Sequence, residues 1–597
     1  MAGTIRTLVE RARRQVVADL RADPYLPYVL VLAAVLSGFW FWHRLPNFAT
    51  RDEQARLFDP MVALGTYLAD PSVASFREGV AWGRVPFGAT FYLNALALVP
   101  VVLAAVVLGQ LDAFLAFDTP PRHLGYFYLW QGTPAWMWTV ALSLVRLFNV
   151  AFAVGCVYLT YRIGVQLRDR ATGRLSALFL TFTFGFLTLA HEGGEDIPAL
   201  FFTLLSLTLL VSYVRTGEAR PFLLASASGG VAIAFKLTAA PVVAVVAAAY
   251  LIRVHRAGPE WRSALVRPWL LVGGAVAGIA AIVFGFPTLL VGEADVVFHR
   301  IAGGSVSRTE WSTGPDAPVW WWFLRQYLNA FGLPLFVGAV GGVVATFARF
   351  DDRGRDRHAT ALLLVALAGN VLLYVPWHDF RVHHLLPTVP LLLVLLAAAL
   401  VGLRGRSPGA SRVLVAVLLL SGGAYATAGV LSYADAPRDD AVAWFVANAD
   451  RDDTVEVYRV HVQDTAIPHW MDVNAAHLAA AGREDPCPEY VMLGYRDLMY
   501  LVEGSYYRNG EEQASYVRAL LEGVYNYEVV AAFGPRPPNY VPQRPTPGSL
   551  ADLVRVGIVP WTDQYADEQE LRENQYTVIL ERTGECDGPR TVPDRWL

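Results

Sequence analysis

The chain has 597 residues, 55% of them apolar and 12% aromatic, with a mean hydropathy of +0.37. Together with repeated apolar runs too long for soluble helices, these values exclude a purely soluble fold and indicate a polytopic membrane protein. Charge is split unevenly: residues 432–597 hold 28 Asp and Glu against 14 Arg, a net of −14, which leaves +10 for residues 1–431. That break divides the chain into a cytoplasmic segment (1–25), a transmembrane domain (26–431) and an acidic extracytoplasmic domain (432–597).

Five arginines, Arg6, Arg11, Arg13, Arg14 and Arg21, precede the first apolar run, Leu26 to Trp42, and hold the N-terminus in the cytoplasm. The exit at Arg51-Asp52-Glu53 is then outside. Gly88 to Gly109 is apolar enough to cross, yet a crossing there would carry the cluster Arg162, Arg168, Arg170 and Arg174 to the outer face. The charge bias therefore predicts that this stretch lies in the interface. Val140 to Tyr161 crosses inward and Leu175 to Ala190 outward, which delivers His191-Glu192-Gly193-Gly194-Glu195-Asp196 to the side of Asp52. Ile197 to Val214 returns.

The next apolar stretch, Pro221 to Ile252, has basic residues at both ends and must cross twice, with its turn near Phe235-Lys236-Leu237-Thr238. Lys236 is the chain's one lysine among 47 arginines. An ammonium at that place needs a hydrated outer pocket. Trp269 to Val291, Phe331 to Phe347, Ala359 to Trp377, Leu386 to Leu403 and Val413 to Leu431 complete eleven crossings and leave the C-terminal domain outside. There, Asp439 to Ala449 and Glu511 to Glu522 read as helices, and Asp453 to Val460, Tyr490 to Leu493, Tyr527 to Phe533 and Gln575 to Glu581 as strands, an α/β pattern. Pro535 to Pro547 reads as a proline-rich loop. Cys156 reads as a small buried residue, whereas Cys487 and Cys586, both in the outer domain, are equally compatible with a disulfide and with free thiols. The acidic clusters are compatible with a divalent metal but require none.

An outer cavity with carboxylates and cations in separate clusters suits sugar transfer from a polyprenyl-phosphate donor: a carboxylate takes the proton of an acceptor hydroxyl while cations hold the departing phosphate. Asp52-Glu53 after the first helix, Leu144-Val145-Arg146-Leu147, Asp196-Ile197-Pro198, Phe235-Lys236-Leu237-Thr238 and the run Arg381 to Pro390 resemble the GT-C fold of protein O-mannosyltransferases and lipid A aminoarabinose transferases over residues 26–405. The resemblance implies a lipid-phosphate sugar donor, an inverting transfer and a first-loop Asp as base, which falls on Asp52, with Glu53 and Asp196 as further catalytic carboxylates. It also implies that Lys236, Arg146, Arg381 and His384 hold the donor phosphate. The acceptor, a protein, glycan or lipid, stays open, and no nucleic-acid partner is expected. A secondary transporter would place Lys236 near the midplane between two related halves. A surface receptor would use the outer domain and would not need acids and a lysine gathered in the membrane part.

Overall fold

The computed structural model describes residues 2–82, 88–120, 126–295, 297–299, 301–303, 317–349, 356–377, 381–434, 436–458, 461–475, 488–501, 510–534, 549–560 and 575–585. The fold is polytopic and helical. In chain order the first twelve helices are α1 (Ala2–Ala22), α2 (Leu26–Ser37), α3 (Arg51–Ala69), α4 (Val73–Ala81), α5 (Gly88–Leu108), α6 (Phe127–Gly132), α7 (Ala135–Leu167), α8 (Arg170–Thr181), α9 (Phe184–Ala190), α10 (Asp196–Thr216), α11 (Ala219–Phe235) and α12 (Pro241–Arg256). Helices Pro268–Gly285, Leu333–Ala348, Arg357–Tyr374, Val389–Arg404 and Pro408–Ala434 follow. The first span is shorter than its apolar run: α2 ends at Ser37, and the chain turns through Trp40 and Arg44, both at positive φ, before reaching α3.

Two belts of charge mark the ends of the bundle. On the arginine-rich face, Asp19 pairs with Arg162 and Asp23 with Arg174, while Asp356 binds both Arg215 and Arg256. On the opposite face lie Asp52, Asp196 and Lys236. Glycines let the helices beneath Lys236 close on each other: a Cβ on Gly230 of α11 would sit 2.3 Å from the carbonyl oxygen of Gly278. This contact keeps α11 level with helix Pro268–Gly285 and brings Phe235 and Phe286 into one apolar cluster.

Among the described residues, eight helices are long and apolar enough to cross a membrane, or eleven spans if each of three bent pairs counts as one. One of the eight, α5, has both ends on the same face. Its first residue, Gly88, abuts Gly285 and Phe286 at the far end of a helix that starts beside Arg267 on the arginine-rich face. Past its last residue, Gln110 Oε1 accepts a hydrogen bond (2.8 Å) from Trp136 Nε1 at the start of α7. One flank of α5 packs on α3 and α7 through Ala97, Leu98, Val101 and Ala105, and the other exposes Leu96, Leu103 and Val107, as a helix lying in lipid does. Removing α5 from the spans and adding the shorter apolar α11 keeps the number at eleven.

The C-terminal region carries a five-stranded mixed sheet. Strands β1 (Thr454–Val457), β2 (Asp472–Ala475), β3 (Tyr490–Gly494), β4 (Tyr527–Phe533) and β5 (Thr577–Arg582) lie in the order β2-β1-β3-β5-β4, with β1 parallel to β2 and β3, and β5 antiparallel to β3 and β4. Strand β2, Asp-Val-Asn-Ala, lacks the β-branched run that marks its neighbours, so its sequence does not announce it. Helix Leu550–Ile558 is likewise absent from the sequence reading. Cys487, Cys586 and the loop Pro535 to Pro547 lie outside the described residues, while Cys156 is buried as a free thiol. The sheet does not stand apart from the membrane part: Phe48, Phe58, Trp130 and Trp138 share one core with Phe445, Val455, Ile467 and Ile579.

The placement of α5 predicts a labelling pattern. With Cys156, Cys487 and Cys586 replaced by Ser, single cysteines at Asp118 and Gly194 should both react with an impermeant thiol reagent applied outside intact cells. Reaction at both 118 and 194 only after permeabilisation, with a cysteine at the exposed Val73 ahead of α5 labelled from outside, would show that α5 crosses.

Candidate active site

The site begins with how α3 starts. Thr50 Oγ1 accepts from the backbone N–H of Glu53 (3.2 Å), so Thr50 caps a helix whose first turn carries Asp52 and Glu53, where carboxylates meet the positive end of the helix dipole. The Thr-x-x-Glu spacing is the sequence signal for that start. Successive residues on a helix point about 100° apart, and the two acids diverge accordingly.

Glu53 turns inward and is fully buried. Arg146 of α7 donates to it twice, from Nε to Oε1 at 2.7 Å and from Nη2 to Oε2 at 2.8 Å. The backbone N–H groups of Ala49 and Gly193 donate to the same carboxylate at 2.7 and 3.0 Å. Nη1 of Arg146 donates to the carbonyls of Phe41 (2.8 Å) and His43 (2.7 Å). A Cβ on Gly193 would lie 2.5 Å from Val145 and 3.0 Å from Glu53 Oε1, so only glycine lets the 191–196 turn come this near. With no exposed surface and all three guanidinium nitrogens occupied, Glu53 and Arg146 join α3, α7 and two loops.

Asp52 turns outward. Its side chain is 38% exposed, with Oδ1 3.6 Å from Arg56 Nη2 one turn along α3. Arg56 is buried and forks onto Glu195, Nε to Oε2 and Nη2 to Oε1, both at 3.1 Å. Glu195 precedes Asp196 at the start of α10, and Asp196 Oδ1 accepts from Lys236 Nζ. The side chains of Asp196 and Lys236 are 12% and 10% exposed. An alternating row of charge therefore runs from Asp52 through Arg56 and Glu195 to Asp196 and Lys236. Burial opposes the charge on Arg56, but Glu195 and Asp52 outweigh it and hold the guanidinium pKa above its ordinary value. Burial would likewise raise the pKa of Glu195, and Arg56 and Lys236 reverse that and lower it.

Of the residues singled out from sequence, Asp52, Asp196 and Lys236 come together. Arg381 and His384 belong to a separate turn, where His384 Nδ1 accepts from the Arg381 N–H (2.9 Å) and the imidazole packs against Tyr374 and Trp377. Arg56 was not singled out from sequence, and Glu195, named there only as part of the 191–196 run, is buried. The i,i+4 spacing of Asp52 and Arg56 was the available signal. Among the described residues no group of three His, Cys, Asp or Glu could hold a metal ion.

With this geometry in place, comparison with known proteins adds a family. A family model described as dolichyl-phosphate-mannose-protein mannosyltransferase matches residues 134–285. This segment is similar to that family. The mannosyltransferase-like segment contains Arg146, Glu195, Asp196 and Lys236 and stops short of α3. No curated protein matches the chain. Solved structures similar to it include the archaeal oligosaccharyltransferase AglB of Archaeoglobus fulgidus, in complex with an inhibitory peptide and a dolichol-phosphate (12% identity, 94% of this chain and 89% of that one, TM-score 0.46). ArnT of Cupriavidus metallidurans bound to undecaprenyl phosphate shows 11% identity over 81% and 94% of the two chains, TM-score 0.49. The arabinosyltransferase EmbB of Mycobacterium smegmatis shows 16% identity over 63% and 30%, TM-score 0.38.

Two predictions separate the inward from the outward acid and test the buried turn. Removing one partner of a buried pair costs about 3–5 kcal/mol, so Glu53→Gln and Arg146→Met should unfold at clearly lower temperature in detergent, whereas Asp52→Asn should change stability by only ~0.5 kcal/mol. Equal melting of all three would remove the clamp. Next to it, His191 is buried neutral: burial first, then the Arg146 charge, bring its pKa down to about 3. The unfolded chain takes up that proton near pH ~6.5, so stability is full above that value and falls as pH drops toward 3. His191→Gln should flatten the decline in melting temperature between pH 7 and 4; an unchanged slope would show that His191 does not carry it.

Proposed function

We propose that this protein is a membrane glycosyltransferase that moves a sugar from a polyprenyl-phosphate carrier to an acceptor hydroxyl at the face bearing Asp52, which is the outer face of the cell membrane. The observation that carries this reading is the charge row itself: a half-exposed carboxylate joined, through a buried guanidinium and a second carboxylate, to the chain's one lysine, inside and beside a segment similar to lipid-phosphate mannosyltransferases.

In this reading Asp52 is the general base. It takes the acceptor's proton while the acceptor oxygen forms a bond to the anomeric carbon and the carbon–oxygen bond to phosphate breaks, its electrons leaving with the polyprenyl phosphate. Attack opposite the departing phosphate inverts the anomeric centre. Arg56, 3.6 Å from Asp52, places positive charge beside the carboxylate that takes the proton. Lys236 meets the phosphate charge as it develops, and Asp196 holds the ammonium in position until the donor arrives. Arg381 and His384 supply further positive charge and hydrogen bonding to the donor. The acceptor is a protein, glycan or lipid reaching the site from the outer side.

The test is Asp52→Asn, which keeps size and removes the basicity. Loss of a general base costs about 10² to 10⁴ in rate, so transfer measured with saturating polyprenyl-phosphate sugar should fall at least about a hundredfold while donor binding persists. Retention of more than about a tenth of wild-type turnover would take Asp52 out of the mechanism and move the base to Asp196.

A further inference from the structure

The turn Val462–Asp464 of the C-terminal domain reaches into the segment that carries Asp52. Four side chains from residues 44–54 meet it. Arg44 Nη2 donates to the carbonyls of Gln463 (3.2 Å) and Thr465 (2.7 Å), and Asn47 Nδ2 donates to that of Val462 (3.1 Å). Gln54 Oε1 accepts from the Gln463 N–H at 3.5 Å. Arg51, the residue before Asp52, donates from Nε (3.2 Å) and Nη2 (2.7 Å) to Asp464 Oδ2. Asp464 is itself nearly inaccessible, its side chain 2% exposed, and its other oxygen lies 3.6 Å from Arg496 and accepts from Gln463 Nε2 at 2.5 Å. Arg51 is 30% exposed.

This arrangement is more than packing between two domains. Backbone carbonyls of a buried turn accept from a run of the loop that ends at the α3 cap, and the Arg51–Asp464 ion pair falls on the neighbour of the proposed base. The first turn of α3 is then held from both sides: Glu53 is fastened to Arg146 from below and Arg51 to Asp464 from above, leaving Asp52 between them. A carboxylate that must meet an acceptor hydroxyl within hydrogen-bond reach depends on such bracing, because a shift of about 1 Å at a reacting group can cost about a hundredfold in rate.

We infer that Asp464 is a positioning residue for the transfer reaction: through Arg51 it fixes the direction of Asp52, so the C-terminal domain completes the active site. This rests on Asp52 being the base. The interaction links residues 413 apart and makes the outer domain part of the catalytic unit.

The experiment uses the full chain with Asp464→Asn, Arg51→Gln and the double variant. Each single variant should lower kcat by between about ten- and a hundredfold with the KM for polyprenyl-phosphate sugar unchanged, and the double variant should be no slower than the worse single one. Arg51→Gln, altered on the more exposed partner, covers the case in which Asp464→Asn fails to fold. A second readout needs no turnover: with the native cysteines replaced by Ser, Asp52→Cys should react severalfold faster with an impermeant thiol reagent once Asp464→Asn is added, and Asp439→Asn, an exposed acid of the same domain, should leave the rate alone. Single variants that keep kcat within about twofold, rate losses that multiply in the double variant, or unchanged thiol reactivity would overturn the inference. A wild-type protein that consumes no donor would instead overturn the proposed function, and the thiol rates would still decide whether Asp464 holds the turn.

Discussion

The interaction on which the rest depends is the buried pair of Glu53 and Arg146. Two opposite charges removed from water are costly unless nearly every donor and lone pair finds a partner, and here each does: two backbone N–H groups complete the carboxylate and two carbonyls complete the guanidinium. Because those backbone groups come from the loop after α2 and from the 191–196 turn, satisfying the pair places α3, α7 and the start of α10 relative to one another. The exposed chemistry then follows from geometry. Asp52, one residue from Glu53 on a helix, is left on the accessible side, and Glu195, next to Asp196, arrives within reach of Arg56.

The charges at the site alternate in sign and differ in exposure. The inner members, Arg56 and Glu195, are buried and hold each other bidentately, so they set the field without being available to a ligand. The outer members, Asp52 at one end and Lys236 with Asp196 at the other, keep contact with solvent and differ in what they can offer: a proton acceptor at one end, a cation at the other. Lys236 reaches this row because α11 is only 17 residues long and turns back through a short 3₁₀ segment into α12, so its amine emerges near the site face. Helix α5 borders the same region, packing Ala89 and Leu93 against Phe235.

Much of the scaffold was legible in the sequence, since arginine clusters report which helix ends share a side and two basic flanks force a turn at Lys236. The same bias, against hydropathy, set the expectation for Gly88 to Gly109, whose helix abuts Phe286 at one end and has Gln110 bonded to Trp136 beyond the other. The C-terminal strands were visible where β-branched residues alternate and invisible at Asp472–Ala475, where they do not. The partnerships were not legible. Glu53 and Arg146 are 93 residues apart, Arg56 and Glu195 139, and Arg51 and Asp464 413, and helical or strand periodicity carries no information about pairing at such separations. Reading Asp52-Glu53 as a loop also concealed that its members face opposite ways, which the Thr50 cap makes plain once α3 is recognised as a helix. Nothing in the apolar run around Arg146 announces its burial, which depends on an acid from another element.

The charge row is proposed to act on a lipid-phosphate sugar, so the measurement that tests it is consumption of the donor. Purified protein in nanodiscs would be incubated with a panel of radiolabelled polyprenyl-phosphate hexoses and pentoses, an extract supplying acceptors, and released polyprenyl phosphate followed over time. Wild-type protein should consume at least one member of the panel, and Lys236→Ala should do so far more slowly. Donors left intact across the whole panel, or equal consumption by wild type and Lys236→Ala, would contradict it.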